Sequence, residues 1–115
     1  MTVTKVFRFE AAHQLPDHPG KCRRLHGHGY RLEVTVGREV DPRTGMVLDF
    51  YDLKRIVEDR VVSRLDHRYL NDLLQPSTAE NLCLWIAREL AELPLVELRL
   101  WETATSCATW RRPGT

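Results

Sequence analysis

The sequence predicts one α+β domain, a four-stranded antiparallel sheet with two helices on one face, and three observations carry that prediction. Apolar and polar residues alternate from Val6 to His13 and from His26 to Val36, which is the period of a strand. Two stretches with helical spacing of apolar residues occupy the middle of the chain. Alternation returns from Val96 to Glu102 and again at about Cys107 to Arg111, giving the order β-β-α-α-β-β. No repeat, linker or low-complexity segment divides residues 1–115.

The elements follow in order. In the first strand Phe7, Phe9, Ala11 and His13 share one side, with Val6, Arg8, Glu10 and Ala12 on the other. Two prolines and a glycine between Leu15 and Lys21 end regular structure. In the second strand His26, His28, Tyr30, Leu32, Val34 and Val36 line one face. Asp41-Pro42-Arg43-Thr44-Gly45 reads as a turn, after which Asp49 caps a helix whose apolar positions are Leu53, Ile56, Val57, Val61 and Leu65. Ser77-Thr78-Ala79-Glu80 has capping-box spacing behind Pro76 and opens a second helix. That helix buries Leu82, Trp85, Ile86, Leu90 and Leu93, with Leu84, Ala87 and Ala91 widening its apolar face. In the third strand Val96, Leu98, Leu100 and Glu102 fall on one face. Such a sheet leaves edges to be covered or paired, which points to an oligomer.

Composition excludes several classes of function. Seventeen basic residues against sixteen acidic ones, with no run of either sign, give no field to gather nucleic acid or an anionic membrane. The apolar stretches fall far short of a membrane span. Met1 to Lys5 runs straight into strand-like sequence without a secretory pattern, so the expected address is cytoplasmic. Cys22, Cys83 and Cys107 are then read as thiols, the last two as buried ones.

His26-Gly27-His28 places two imidazoles at i and i+2 of a strand, so both leave the same face. His13 ends the first strand on the side shared with Phe7 and Phe9, and a hairpin would bring all three rings together. Three neutral nitrogens suit zinc, whose sites with three protein ligands keep a fourth position open. Taken alone, a His-x-His pair also reads as two ordinary polar residues. Gly27 and Gly29 leave room around the rings. Cys22, four residues before His26, has two readings. It is either a fourth ligand that closes the site or a nucleophile or base whose pKa a nearby dication lowers from about 8.5. Asp66-His67 pairs a carboxylate with an imidazole at a helix end, either a proton relay or a cap with a solvated side chain. Glu102 carries a charge to the end of an apolar face, where it either meets a partner with two donors or stands in water at the rim. His18, in the proline-rich loop, reads as surface.

Phe9-Glu10-Ala11-Ala12-His13, Cys22-Arg23-Arg24-Leu25-His26-Gly27-His28, Leu65-Asp66-His67, Thr78-Ala79-Glu80-Asn81 and Trp101-Glu102-Thr103 together resemble the 6-pyruvoyl-tetrahydropterin synthase family. The resemblance spans nearly the whole chain. It implies the tunnelling fold and a homohexamer formed as a dimer of trimers. It makes His13, His26 and His28 the ligands of a zinc ion, Cys22 the general base, Asp66 and His67 the proton relay, and Glu102 the anchor of the pterin ring. The Cys-x-x-x-His-Gly-His spacing is similar to the bacterial 6-carboxy-tetrahydropterin synthases of queuosine biosynthesis. These are lyases acting on a pterin triphosphate, for which Lys21, Arg23 and Arg24 are candidate phosphate contacts. The sequence has no Gly-rich dinucleotide loop, in keeping with an internal redox change.

Overall fold

The computed structural model describes residues 1–114. β1 (Thr2–His13) and β2 (His26–Gly37) form a twelve-residue antiparallel pair running from Thr2↔Gly37 to His13↔His26. β1 starts four residues before the predicted Val6, because Thr2-Val3-Thr4 continues the β-branched alternation. Thr4 and Thr35 hydroxyls hydrogen-bond across the pair at 2.7 Å.

α1 (Phe50–Val57) opens on Asp49, whose carboxylate accepts from the Tyr51 N–H at 2.7 Å, as expected of a cap. The helix then widens into a π turn, Glu58–Val62, and closes as α2 (Ser63–Leu65). Leu53, Val57, Val61 and Leu65 are all fully buried at intervals of four residues. A straight α-helix rotates by about 40° beyond a full circle at each such step, so the wider turn keeps the stripe on the core.

A two-residue strand that the sequence does not announce follows, β3 (Arg68–Tyr69), parallel to β1 at Ala11 and Ala12. The sheet therefore has five strands in the order β3-β1-β2-β4-β5 and is mixed, where four antiparallel strands were predicted. Two residues are too few to display a period, which is why no alternation marks β3. A 3₁₀ turn, Leu70–Asp72, leads towards α3 (Ala79–Glu89). Its cap is Thr78, which accepts from the Asn81 N–H, and not Ser77, which is buried and bonded elsewhere. Leu82, Trp85, Ile86, Leu90 and Leu93 are buried as predicted, whereas Leu84 is exposed and Ala91 lies in the exposed turn beyond the helix.

β4 (Leu95–Trp101) pairs with β2, and β5 (Cys107–Arg111) pairs with β4. An irregularity opposite Thr35 and Val36 shifts the register, so Leu95 rather than Val96 enters the core beside Leu98 and Leu100. Cys83 is buried, but Cys107 at the start of β5 is exposed, contrary to the expectation of two buried thiols. The helices and the inward face of the sheet enclose one core, and no described helix is long and apolar enough to cross a membrane.

Candidate metal centre

The β1–β2 register places His13 opposite His26 at the end of the hairpin, and the period of two puts His28 on the same inward face. The three ligand nitrogens lie within 4.8 Å of one another. His13 Nε2 stands 2.9 Å from His26 Nε2 and 3.1 Å from His28 Nε2. His13 is fully buried, while His26 and His28 are half-buried.

The other ring nitrogens fix the tautomers. His13 Nδ1 donates to the Ser77 carbonyl at 2.7 Å, and His26 Nδ1 donates to the Arg24 carbonyl at 2.7 Å. A carbonyl can only accept, so each Nδ1 carries the hydrogen and each neutral ring presents a bare Nε2. Two bare nitrogens 2.9 Å apart repel unless a cation lies between them or one ring is protonated. The donor set thus fits a metal that favours imidazole nitrogen, zinc among them.

Glu102 joins the cluster. It stands one residue past β4, next in register to the Arg31↔Trp101 pair, and so falls across from Tyr30 on the inward face. Its Oε1 lies 3.1 Å from His13 Nε2 and 3.2 Å from His28 Nε2, with 27% of the side chain exposed. The bond to His13 holds the Glu102 carboxyl below its usual range against the opposing effect of burial. Burial would lower His13, but its bonds to Glu102 and to the Ser77 carbonyl outweigh that and leave it raised. Burial holds His28 below its ordinary value. Tyr30 packs edge-on to His28 and His13 and stacks on Phe9, with its hydroxyl buried and without a hydrogen-bond partner.

Cys22 sits half-buried in a 3₁₀ turn, Lys21–Arg23, whose entry is tied down by Leu15 N–H donating to the Cys22 carbonyl at 2.9 Å. The metal-capable cluster among the described residues contains the three histidines and not Cys22. Lys21, Arg23 and Arg24 flank the thiol and are exposed, as is His18.

Asp66 and His67 occupy the outer edge of the hairpin. Asp66 Oδ1 accepts from the Glu10 N–H at 2.9 Å and pairs with His67 Nδ1 at 3.0 Å, while the His67 N–H donates to the Glu10 carbonyl at 2.6 Å. The Glu10 bond, aided by His67, keeps the Asp66 carboxyl low. His67 adopts a φ of 58°, in the left-handed region that a residue with a side chain rarely visits, and its ring is 78% exposed. His67 and His28 line one open cleft of about 480 Å³ with Gly27 and Gly29, but no hydrogen bond among the described residues joins them. The two glycines face this cleft on the side opposite the rings, so they do not make room for the imidazoles as the sequence suggested. An added Cβ at Gly29 would stand 3.2 Å from Glu10 Oε1.

Sequence reasoning missed the Ser77 and Arg24 carbonyls, because a backbone acceptor leaves no mark on residue type. It also missed Asn71, whose buried amide bonds Gln14 and Ser77. The signal was faint, an amide next to an acid, Asn71-Asp72, between Leu70 and Leu73-Leu74.

A triad of imidazoles presented by a strand pair at the end of an α+β sheet could hold a metal ion, as in metal-dependent enzymes. Residues 2–113 match the family model described as 6-pyruvoyl tetrahydropterin synthase, and the chain belongs to that family. A 6-carboxy-5,6,7,8-tetrahydropterin synthase of Synechocystis sp. is 45% identical over 96% of this chain and 93% of its own length. A protein of Archaeoglobus fulgidus described as a putative 6-carboxy-5,6,7,8-tetrahydropterin synthase is 44% identical over 90% of each chain. The solved 6-pyruvoyl tetrahydropterin synthase of Caenorhabditis elegans superposes with a TM-score of 0.89 at 29% identity, covering 97% of this chain and 95% of that one.

Proposed function

We propose that this protein is a zinc-dependent lyase that converts 7,8-dihydroneopterin triphosphate to 6-carboxy-5,6,7,8-tetrahydropterin, acetaldehyde and triphosphate, a step of queuosine biosynthesis. The observation that carries the proposal is the convergence of three imidazole nitrogens within 4.8 Å of one another, with two of the rings oriented by backbone carbonyls and a carboxylate oxygen beside two of them. The names of the Synechocystis and Archaeoglobus relatives support the carboxy-forming reading within the family.

His13, His26 and His28 would hold zinc, which when bound polarises the hydroxyls of the substrate side chain and acidifies the adjacent carbon. Cys22 removes a side-chain proton as general base, from a turn anchored to Leu15. Asp66 orients His67 through its Nδ1, leaving the far ring nitrogen of an exposed imidazole to carry protons at the sheet edge. Glu102 anchors the pterin through the adjacent ring N–H and exocyclic amine, two donors that match a carboxylate. Its carboxylate must turn from the histidines to do so, a movement its partial exposure permits. Lys21, Arg23 and Arg24 meet the triphosphate. The working enzyme is a cytoplasmic homohexamer in which the relay of one subunit serves the thiol of another.

The test is incubation of the zinc-loaded protein with 7,8-dihydroneopterin triphosphate. Acetaldehyde with a carboxylated pterin supports the assignment. A pyruvoyl product without acetaldehyde would assign the 6-pyruvoyl reaction instead, and loss of neither triphosphate nor side chain from folded, metal-loaded protein would overturn both. Replacing Cys22 by Ala should abolish turnover and leave zinc content unchanged; a fall in zinc affinity would make it a ligand.

A further inference from the structure

A closed circuit of hydrogen bonds ties the first metal ligand to a residue fifty-eight positions away. The Asn71 side chain pairs with the backbone of Gln14 as a neighbouring strand would, its Oδ1 accepting from Gln14 N–H at 3.1 Å and its Nδ2 donating to the Gln14 carbonyl at 2.7 Å. The same Oδ1 accepts from Ser77 Oγ at 2.6 Å. The Ser77 carbonyl then takes the hydrogen of His13 Nδ1 at 2.7 Å, and His13 is joined to Gln14 by the chain itself. His13 and Ser77 are fully buried and Asn71 is 8% exposed, so the bonds from Ser77 to Asn71 and to His13 cannot be exchanged for water without opening the core.

We infer that Asn71 is a positioning residue for the metal centre: it sets the Ser77 carbonyl, and through it the tautomer and angle of the His13 ring. The inference rests on the reading of His13, His26 and His28 as metal ligands. The physical case is one of restraint. The loop between the Leu70–Asp72 turn and α3 has no ladder hydrogen bonds of its own, and the amide of Asn71 supplies the ones that hold it against the end of β1. Ser77 contributes nothing through its side chain except the bond to Asn71; its carbonyl does the orienting. Partners that fix the second nitrogen of a ligating imidazole are commonly worth about 10–100-fold in metal affinity, and here that partner is a backbone atom of a residue whose side chain is held by one buried amide, with Asn81 Nδ2 on the Pro76 carbonyl and the Thr78 cap holding its neighbours.

The test compares wild type with Asn71→Ala, Ser77→Ala and Asp49→Ala, each shown to be folded by circular dichroism. Asp49→Ala removes the cap of α1, which costs stability without touching the circuit. Zinc affinity is read by competition with a chromophoric chelator, and ligand geometry by the visible absorption of the cobalt-substituted protein. The expected result is a 10–100-fold weaker affinity with a changed cobalt spectrum for Asn71→Ala, a smaller change in the same direction for Ser77→Ala, and wild-type values for Asp49→Ala. Wild-type affinity and spectrum in Ser77→Ala and in any folded Asn71→Ala would overturn the inference, as would an equal loss in Asp49→Ala. If wild type itself binds neither zinc nor cobalt, the metal reading fails rather than the role of Asn71 within it.

Discussion

The buried hydroxyl of Tyr30 gives a prediction whose sign runs against the usual rule that core substitutions destabilise. Tyr30 is 1% exposed, stacks on Phe9 with ring centroids 5.0 Å apart, and has no hydrogen-bond partner for its hydroxyl among the described residues. Burial and the nearby Glu102 carboxylate push its pKa far up, so the group stays a neutral phenol. Tyr30→Phe keeps the ring and its stacking while deleting the one polar atom. An unpaired buried hydroxyl costs about 1–3 kcal/mol. Removing it leaves a gap of about 10 Å³, which at about 24 cal/mol per Å³ returns only about 0.2 kcal/mol of that. The metal-free protein should therefore gain about 1–3 kcal/mol, seen as a rise in Tm of about 4–12 °C for a domain of this size. Urea and thermal unfolding of chelator-treated wild type and variant, at one fixed protein concentration, measure it. A variant that melts lower than wild type refutes the reasoning, because it would mean that the hydroxyl has a partner in solution.

The remaining predictions concern the metal and the titrating groups. His28→Ala and His13→Ala should each weaken zinc binding by more than about 100-fold, since losing a ligand costs more than losing the group that orients one; equilibrium dialysis with metal analysis checks this. Chelation of wild type should abolish turnover, and added zinc should restore it. In metal-free protein the raised His13 contributes stability that is complete below the ordinary imidazole value of 6.5 and fades as pH rises through its folded value. The depressed Glu102 contributes stability that is complete above the ordinary carboxyl value of 4.5 and fades as pH falls through its folded value. His28, held low, acts in the opposite sense to His13, so the readout is the difference between wild type and Glu102→Gln. That difference in urea midpoint should be largest between pH 4.5 and 6.5 and shrink above it, and a constant difference from pH 5 to 9 would remove the pairing from the account. Burial pushes the Cys83 thiol up to about 11 from 9.0, which cuts its thiolate fraction by about 100-fold at pH 8. Iodoacetamide should therefore label exposed Cys107 and spare Cys83 in native protein, as peptide mass mapping would show.

The parts legible in the sequence are those that repeat or that depend on side chains of one chemical type. The period of two in His26-Gly27-His28-Gly29-Tyr30 placed both histidines on one face, and the same period in Phe7-Phe9-Ala11-His13 brought the third to them once the strands paired. Helix positions were legible for the same reason, at Leu53, Val57, Val61 and Leu65, although their four-residue spacing also encodes the π turn that simple periodicity does not name. What could not be read is what acts through the backbone. β3 is two residues held by main-chain pairing to Ala11 and Ala12. The register shift that exchanges Val96 for Leu95 is a property of two strands together.

The orientation of the site lies in the same unreadable layer. Ser77 and Arg24 serve His13 and His26 through carbonyls that any residue possesses, and Glu10 grips Asp66 and His67 through its own N–H and C=O. This last arrangement explains how a non-glycine residue keeps a φ of 58° at His67. Two backbone bonds to one β1 residue, with the Asp66–His67 pairing beside them, offset the roughly 1 kcal/mol or more that such a conformation costs. The strain is located at a residue whose side chain is 78% exposed at the sheet edge. Asp66 already leaves α2 in an extended conformation, φ −66° and ψ 127°, and the left-handed His67 that follows completes the turn into β3, so the reversal that builds the fifth strand and the exposure of the imidazole arise at the same two residues.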